Sequence, residues 1–206
     1  MTDDAPFPDP ETCHVLEPDC RRCPALADSR TEISWGTGPT DAAVMVVGEA
    51  PGAGNPEADR WRGGNHTGMA YTTRHSGRRI RGLFARLGYE PYYTNAVKCF
   101  PAGEEGSNRE PTERERTSCR THLEHEVDQV DPEVVVATGK HATATMLAFE
   151  GRDLEGFVER VLSPEPLPSL GVTLLPILHP SYQDVWIARL GYDREAYETA
   201  IGEELP

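Results

Sequence analysis

Lysine is almost missing from this chain: Lys98 and Lys140 are the only two among 20 basic residues, so arginine carries nearly all the positive charge. No apolar run approaches the roughly 20 residues needed to cross a bilayer. The opening stretch, MTDDAPFPDPE, has neither the basic nor the apolar region of a secretion signal. Together these absences predict a cytoplasmic protein without a membrane partner, in a compartment where disulfides are uncommon. The loop 48-GEAPGAGN-55 lacks the Lys-Ser/Thr pair of a phosphate-binding P-loop, and the dinucleotide fingerprint is absent.

Acidic side chains are abundant: 34 Asp and Glu against 20 Lys and Arg, a net charge of -14. An acidic, lysine-poor composition predicts a salt-adapted cytoplasm of the haloarchaeal kind and says little about fold. Periodic apolar segments run through most of the chain and argue against disorder. With 206 residues there is enough for one ample core. The expected organisation is an acidic, mobile N-terminal extension, residues 1–19, followed by a single domain over 20–206.

Four apolar stretches read as buried strands: 42–50, 91–97, 133–139 and 172–178. Helical spacing of Ile80, Leu83, Phe84 and Leu87 predicts a helix over 78–88. Thr112 and Glu115 form a potential capping box for a helix over 113–130. A small-residue helix is expected over 140–149, and a short edge strand or hairpin within 151–171. This alternation predicts an α/β fold, a three-layer αβα sandwich around a mostly parallel four-stranded sheet. Ligand sites in such sheets lie beyond the carboxyl ends of the strands. The loops after Val47, at Asn95 and at His179 should therefore converge.

Five cysteines need an explanation other than disulfides. Cys20 and Cys23 form a tight pair, with Cys99 and Cys119 as distant partners and Cys13 left over. Four thiolates suit a tetrahedral zinc ion or a [4Fe–4S] cluster, and spacing alone does not separate them.

Three separated strings, 48-GEAPG-52, 94-TNAVKC-99 and 179-HPS-181, resemble the three active-site motifs of the uracil-DNA glycosylase superfamily. The resemblance runs from about Cys20 to Tyr192 and points to the iron–sulfur branch, families 4 and 5. GEAPG resembles family 4, whereas 64-GNHTGMAYTTRHSG-77 and 179-HPSYQDVWIARL-190 resemble family 5. The resemblance implies a [4Fe–4S] cluster on Cys20, Cys23, Cys99 and Cys119, a structural tie rather than a redox catalyst. It implies a monofunctional hydrolase that flips uracil out of single- or double-stranded DNA and leaves an abasic site.

By the same resemblance, His179 donates a hydrogen bond to the uracil O2, as neutral imidazole or as imidazolium. Asn95 reads the O4 and N3–H edge with one amide, a donor–acceptor pattern that cytosine reverses. Gly48, Glu49 and Ala50 floor the pocket, and Tyr71 stacks on the base. Glu49 is the first candidate to hold the attacking water, with Asn55 or Asn65 as alternatives. Arg74 stands where family 5 carries an aspartate, so that family's base does not transfer. The basic island 74-RHSGRRIRGLFAR-86, with Arg74, Arg78 and Arg79, is expected to meet phosphates, because near 1 M salt the Debye length is about 3 Å and distant acidic charge is screened. Ser181, Tyr182, Gln183 and Val185 are expected at the DNA surface, the last three as a wedge. A monomer is the default. Competing readings are a glycosylase of broader base range (hypoxanthine, xanthine, mismatched thymine), a non-catalytic iron–sulfur or zinc DNA-binding protein, and an unrelated hydrolase on the same layout.

Overall fold

The computed structural model describes residues 5–206. In chain order, Cys13–His14 form β1, Pro24–Ser29 α1, Gly36–Thr37 β2 and Val44–Gly48 β3. Gly64–Thr67 form α2, Ser76–Leu87 α3 and Tyr92–Asn95 β4. Glu113–Val130 form α4, Val134–Thr138 β5, Lys140–Leu147 α5 and Phe157–Arg160 α6. Glu165–Leu167 form β6, Val172–Ile177 β7, Gln183–Trp186 α7 and Arg194–Glu203 α8.

The expected four parallel strands are present as β4-β3-β5-β7, but they are the centre of a wider sheet. Seven strands run in the order β1-β2-β4-β3-β5-β7-β6. Antiparallel β2 and then β1 extend one edge, and β6 closes the other. The added strands are two or three residues long, too short for any periodic signal. Pro166 lies in β6 on the sheet edge, where a missing N–H breaks no interior ladder.

Period-two alternation divides the core. Met45, Val47, Val135 and Ala137 pack with Leu123, Val127 and Val130 of α4 and with Ala142 and Met146 of α5. Val44, Val46, Val134 and Val136 face the opposite layer, against Ile80, Leu83 and Phe84 of α3 and Tyr197 and Ile201 of α8. The result is the αβα sandwich. The capping box on α4 forms as its sequence requires: the Thr112 hydroxyl accepts from the Glu115 N–H, and the Glu115 carboxylate accepts from the Thr112 N–H at 2.7 Å.

Within the acidic segment before Cys20, β1 pairs with β2 and the Phe7 ring meets Trp61 edge-on at 5.0 Å. A third cluster joins Leu26, Ile33, Trp35 and Val97 to Cys99 and Cys119. It sits where the N-terminal segment, the loop after β4 and α4 meet.

Candidate active site and cysteine centre

The three loops converge as strand order demands. A recess of about 90 Å³ is lined by Gly48, Glu49, Ala50, Tyr71, Asn95, Thr138 and His179, among others. Parallel register brings the first pair together, with Gly48 of β3 opposite Asn95 of β4. Ala96 N–H donates to the Gly48 carbonyl at 2.8 Å and Val97 N–H to Glu49 at 2.9 Å, which stitches the two strand exits. Gly48 has to lack a side chain here, because a Cβ would stand 2.4 Å from Asn95 Oδ1 and 2.7 Å from the Tyr71 hydroxyl oxygen.

Tyr71 is held in the left-handed region at φ 53°, a conformation unusual for a bulky residue. Its surroundings hold it there. The hydroxyl shares a 2.6 Å hydrogen bond with Thr138 Oγ1, and the buried Arg81 donates to the Tyr71 carbonyl at 3.0 Å. Arg81 also binds the Ala70 carbonyl and Thr37 and lies over the Tyr93 ring.

His179 follows β7, and Gly139 at φ 96° makes room for it: a Cβ on Gly139 would meet the His179 Cβ at 2.9 Å. The Ser181 N–H donates to His179 Nδ1 at 3.2 Å. An accepting Nδ1 carries no proton, so the neutral ring bears its hydrogen on Nε2. Burial, and then the nearby His141, lower the His179 pKa and favour the same neutral form. One backbone N–H thus favours the neutral ring over the imidazolium.

Wider clefts flank the recess. One of about 510 Å³ lies between Glu49, Glu110, His141, His179 and Tyr182; another of about 440 Å³ includes Asn55, Arg74, Asn108 and Ser181. Asn65 lies outside all three, buried with its Oδ1 accepting from the Thr31 N–H, which removes it as a water ligand. Asn55 reaches the second cleft, with its Oδ1 accepting from Glu57.

The basic island splits by contact. Arg74 lines the 440 Å³ cleft, and Arg78 lies against the Trp61 ring. Arg79 donates to the Pro180 carbonyl at 2.6 Å and pairs with Asp184, which fixes the turn carrying His179. Arg86 pairs with Glu198 on α8. Gln183 does not stand in the wedge: it is buried and donates to the Leu178 carbonyl at 3.2 Å, because the first turn of α7 folds it inward. Tyr182 and Val185 are the projecting side chains, 61% and 57% exposed.

Cys20, Cys23, Cys99 and Cys119 line one small cavity. Cys13, in β1, lies outside its lining, its thiol 3.7 Å from the Gly68 carbonyl. Arg30 donates to Cys99 Sγ at 3.3 Å, and the Lys98 N–H donates to Cys119 Sγ at the same distance. Burial pushes the Cys119 thiol up to about 12 and also raises Cys23 and Cys99. The four thiols share this lining, and a centre that took the place of their protons would have to be cationic. His122 lines the same cavity; its Nε2 makes no hydrogen bond among the described residues but lies 3.6 Å from Glu17 Oε2, and burial pushes its pKa down to about 4. Glu17, Cys20 and His122 also present ligand atoms within 4.8 Å of one another.

A buried pair connects the two sites. Lys98 donates to Thr94 Oγ1 and the Asn95 carbonyl, both at 2.6 Å, and its ammonium bonds the Glu126 carboxylate of α4. Neither side chain has any appreciable exposure. Sequence reading missed this pair, along with His141, Glu110 and Asn108. A lysine one residue before Cys99, in a chain with only two, was the available signal.

Known proteins are similar to this chain in sequence. The chain is 32% identical over 167 residues to a type-4 uracil-DNA glycosylase of Thermotoga maritima, covering 79% of this chain and 77% of that protein. It is 31% identical over 202 residues to a type-5 uracil-DNA glycosylase of Pyrobaculum aerophilum, with 83% and 82% covered. A type-4 uracil-DNA glycosylase of the same organism is 31% identical over 150 residues, with 71% and 69% covered. The family model for the uracil DNA glycosylase superfamily matches residues 35–202, and the chain belongs to that superfamily.

Proposed function

We propose that this chain excises uracil from DNA by hydrolysing the N-glycosidic bond, with the flipped base held in the 90 Å³ recess. One observation carries the reading: the Asn95 amide and a neutral His179, with its proton on Nε2, face the same recess beside the Tyr71 ring. Uracil stacked on Tyr71 presents O4 and N3–H to Asn95 and O2 to His179. As the C1′–N1 bond breaks, its electron pair leaves with the base and negative charge builds on O2. The His179 N–H opposes that charge. Water adds its oxygen to C1′ and gives up a proton, and Glu49 is the carboxylate placed to accept it.

The thiolate set of Cys20, Cys23, Cys99 and Cys119 fits a [4Fe–4S] cluster, supported by the Arg30 and Lys98 N–H donors on sulfur. The group would supply cross-linking of the N-terminal segment, the β4 exit and α4, and no electron enters the hydrolysis. Iron and acid-labile sulfide are expected in equal amounts in anaerobically purified protein. Zinc without sulfide would contradict the assignment. DNA is expected across the two clefts as far as Arg74, with Tyr182 and Val185 filling the gap left by the base. The chain is read as a cytoplasmic monomer in a high-salt cell.

The test uses a uracil-containing oligonucleotide in about 1–3 M KCl, a range set by the screening argument, with alkali to cut abasic sites. Uracil-dependent cutting is expected and should vanish in the Asn95→Ala, His179→Ala double variant. A folded, cluster-bearing protein that cuts only hypoxanthine or xanthine DNA, or binds without cutting, would overturn the reading. Gly48→Ala gives a second check: its Cβ displaces Asn95 and Tyr71, so excision should fall at least tenfold with the cluster retained.

A further inference from the structure

Glu110, His141 and Glu49 come from three separate segments and stand in a row along the 510 Å³ cleft. His141 Nε2 lies 2.9 Å from Glu110 Oε1, and His141 Nδ1 lies 4.0 Å from Glu49 Oε1. That Glu49 oxygen is buried with no hydrogen-bond partner among the described residues. We propose that His141 is the positioning residue for Glu49: held by Glu110 on one side, it presents a cationic N–H to the buried carboxylate on the other. The inference rests on Glu49 being the carboxylate that receives the water's proton.

The chemistry of the ring makes the case. The Glu110 carboxylate 2.9 Å away favours a proton on Nε2, so a neutral His141 turns a lone pair on Nδ1 towards Glu49, and two acceptors face each other. The imidazolium instead offers an N–H to each carboxylate. Burial raises the Glu49 carboxyl above its usual value, His141 opposes that, Glu110 adds to it and Arg116 opposes it. His179, Lys140 and Arg109 face the same cleft, and His179 is neutral by its Nδ1 contact. Removing His141 therefore takes away the group that most favours the carboxylate, and Glu49 protonates at higher pH. Glu110 is 70% exposed, so its contact with His141 contributes little to folding and the variant should fold.

Single-turnover uracil release is measured against pH for the wild type, His141→Gln, His141→Arg, Glu49→Gln and the His141→Gln, Glu49→Gln double variant. His141→Gln should move the acid limb to higher pH, with about a tenfold lower rate below the limb for each unit moved. His141→Arg keeps a cation and should return the limb towards the wild type. Glu49→Gln should lose the limb, and the double variant should match it, since His141 acts through Glu49. A wild-type limb in His141→Gln, with Glu49→Gln impaired, would overturn the role of His141 alone, even if the variant melted earlier. Full activity in Glu49→Gln would overturn both assignments.

Discussion

His179→Ala is expected to lower single-turnover uracil release by about 10²–10³-fold, the loss seen when one donor to a developing oxyanion is removed. Binding of uracil-containing DNA should change far less, because the contact strengthens only as charge builds on O2. The neutral ring sharpens this expectation. Its Nδ1 is occupied by the Ser181 N–H, so on the proposed reading only Nε2–H is left to meet the base. Burial holds the His179 pKa below the usual histidine value, so acidification must pass that value before the ring gains a second proton and releases Ser181. The fall in activity on mild acidification should thus belong to Glu49, whose pKa is raised, and not to His179. Equal losses in DNA affinity and in rate would place His179 in ground-state binding instead.

Lys98→Met is expected to cost about 3–5 kcal/mol, the range for leaving one member of a buried ion pair alone. The stranded group is Glu126, fully buried and also hydrogen-bonded by Thr94 and, at 3.2 Å, by Tyr92. For a chain of this length such a loss lowers the melting temperature by about 6–20 °C. Lys98→Met with Glu126→Leu should recover most of it, since apolar replacement of both partners is often neutral. Excision should not recover to the same extent. Lys98 Nζ holds the Asn95 carbonyl, so the double variant folds with the recognition amide less firmly placed. Full recovery of both stability and rate would reduce the pair to a folding element.

Much of the fold was legible because its signals are local. The run Val44–Val47 and the capping box at Thr112 and Glu115 each act over a few residues, and both elements form where their residues predict. Convergence of Gly48, Asn95 and His179 followed from strand order in a parallel sheet. The edge strands were not legible: Cys13–His14 and Gly36–Thr37 owe their extended pairing to the neighbouring strand. Long-range side-chain pairs were hidden for a related reason. Lys98 and Glu126 are 28 residues apart, and His141 reads as one position in a small-residue helix. Gln183 was misplaced because the first turn of α7 folds it inward, where its amide donates to the Leu178 carbonyl.

Through the Asn95 amide the recess is expected to accept uracil and reject cytosine. The most direct measurement compares two oligonucleotides identical except for uracil or cytosine at one position, with the released base identified by chromatography. Free uracil from the first and no base from the second is the predicted result. Release of both bases at similar rates, or of neither by folded protein, would contradict the account.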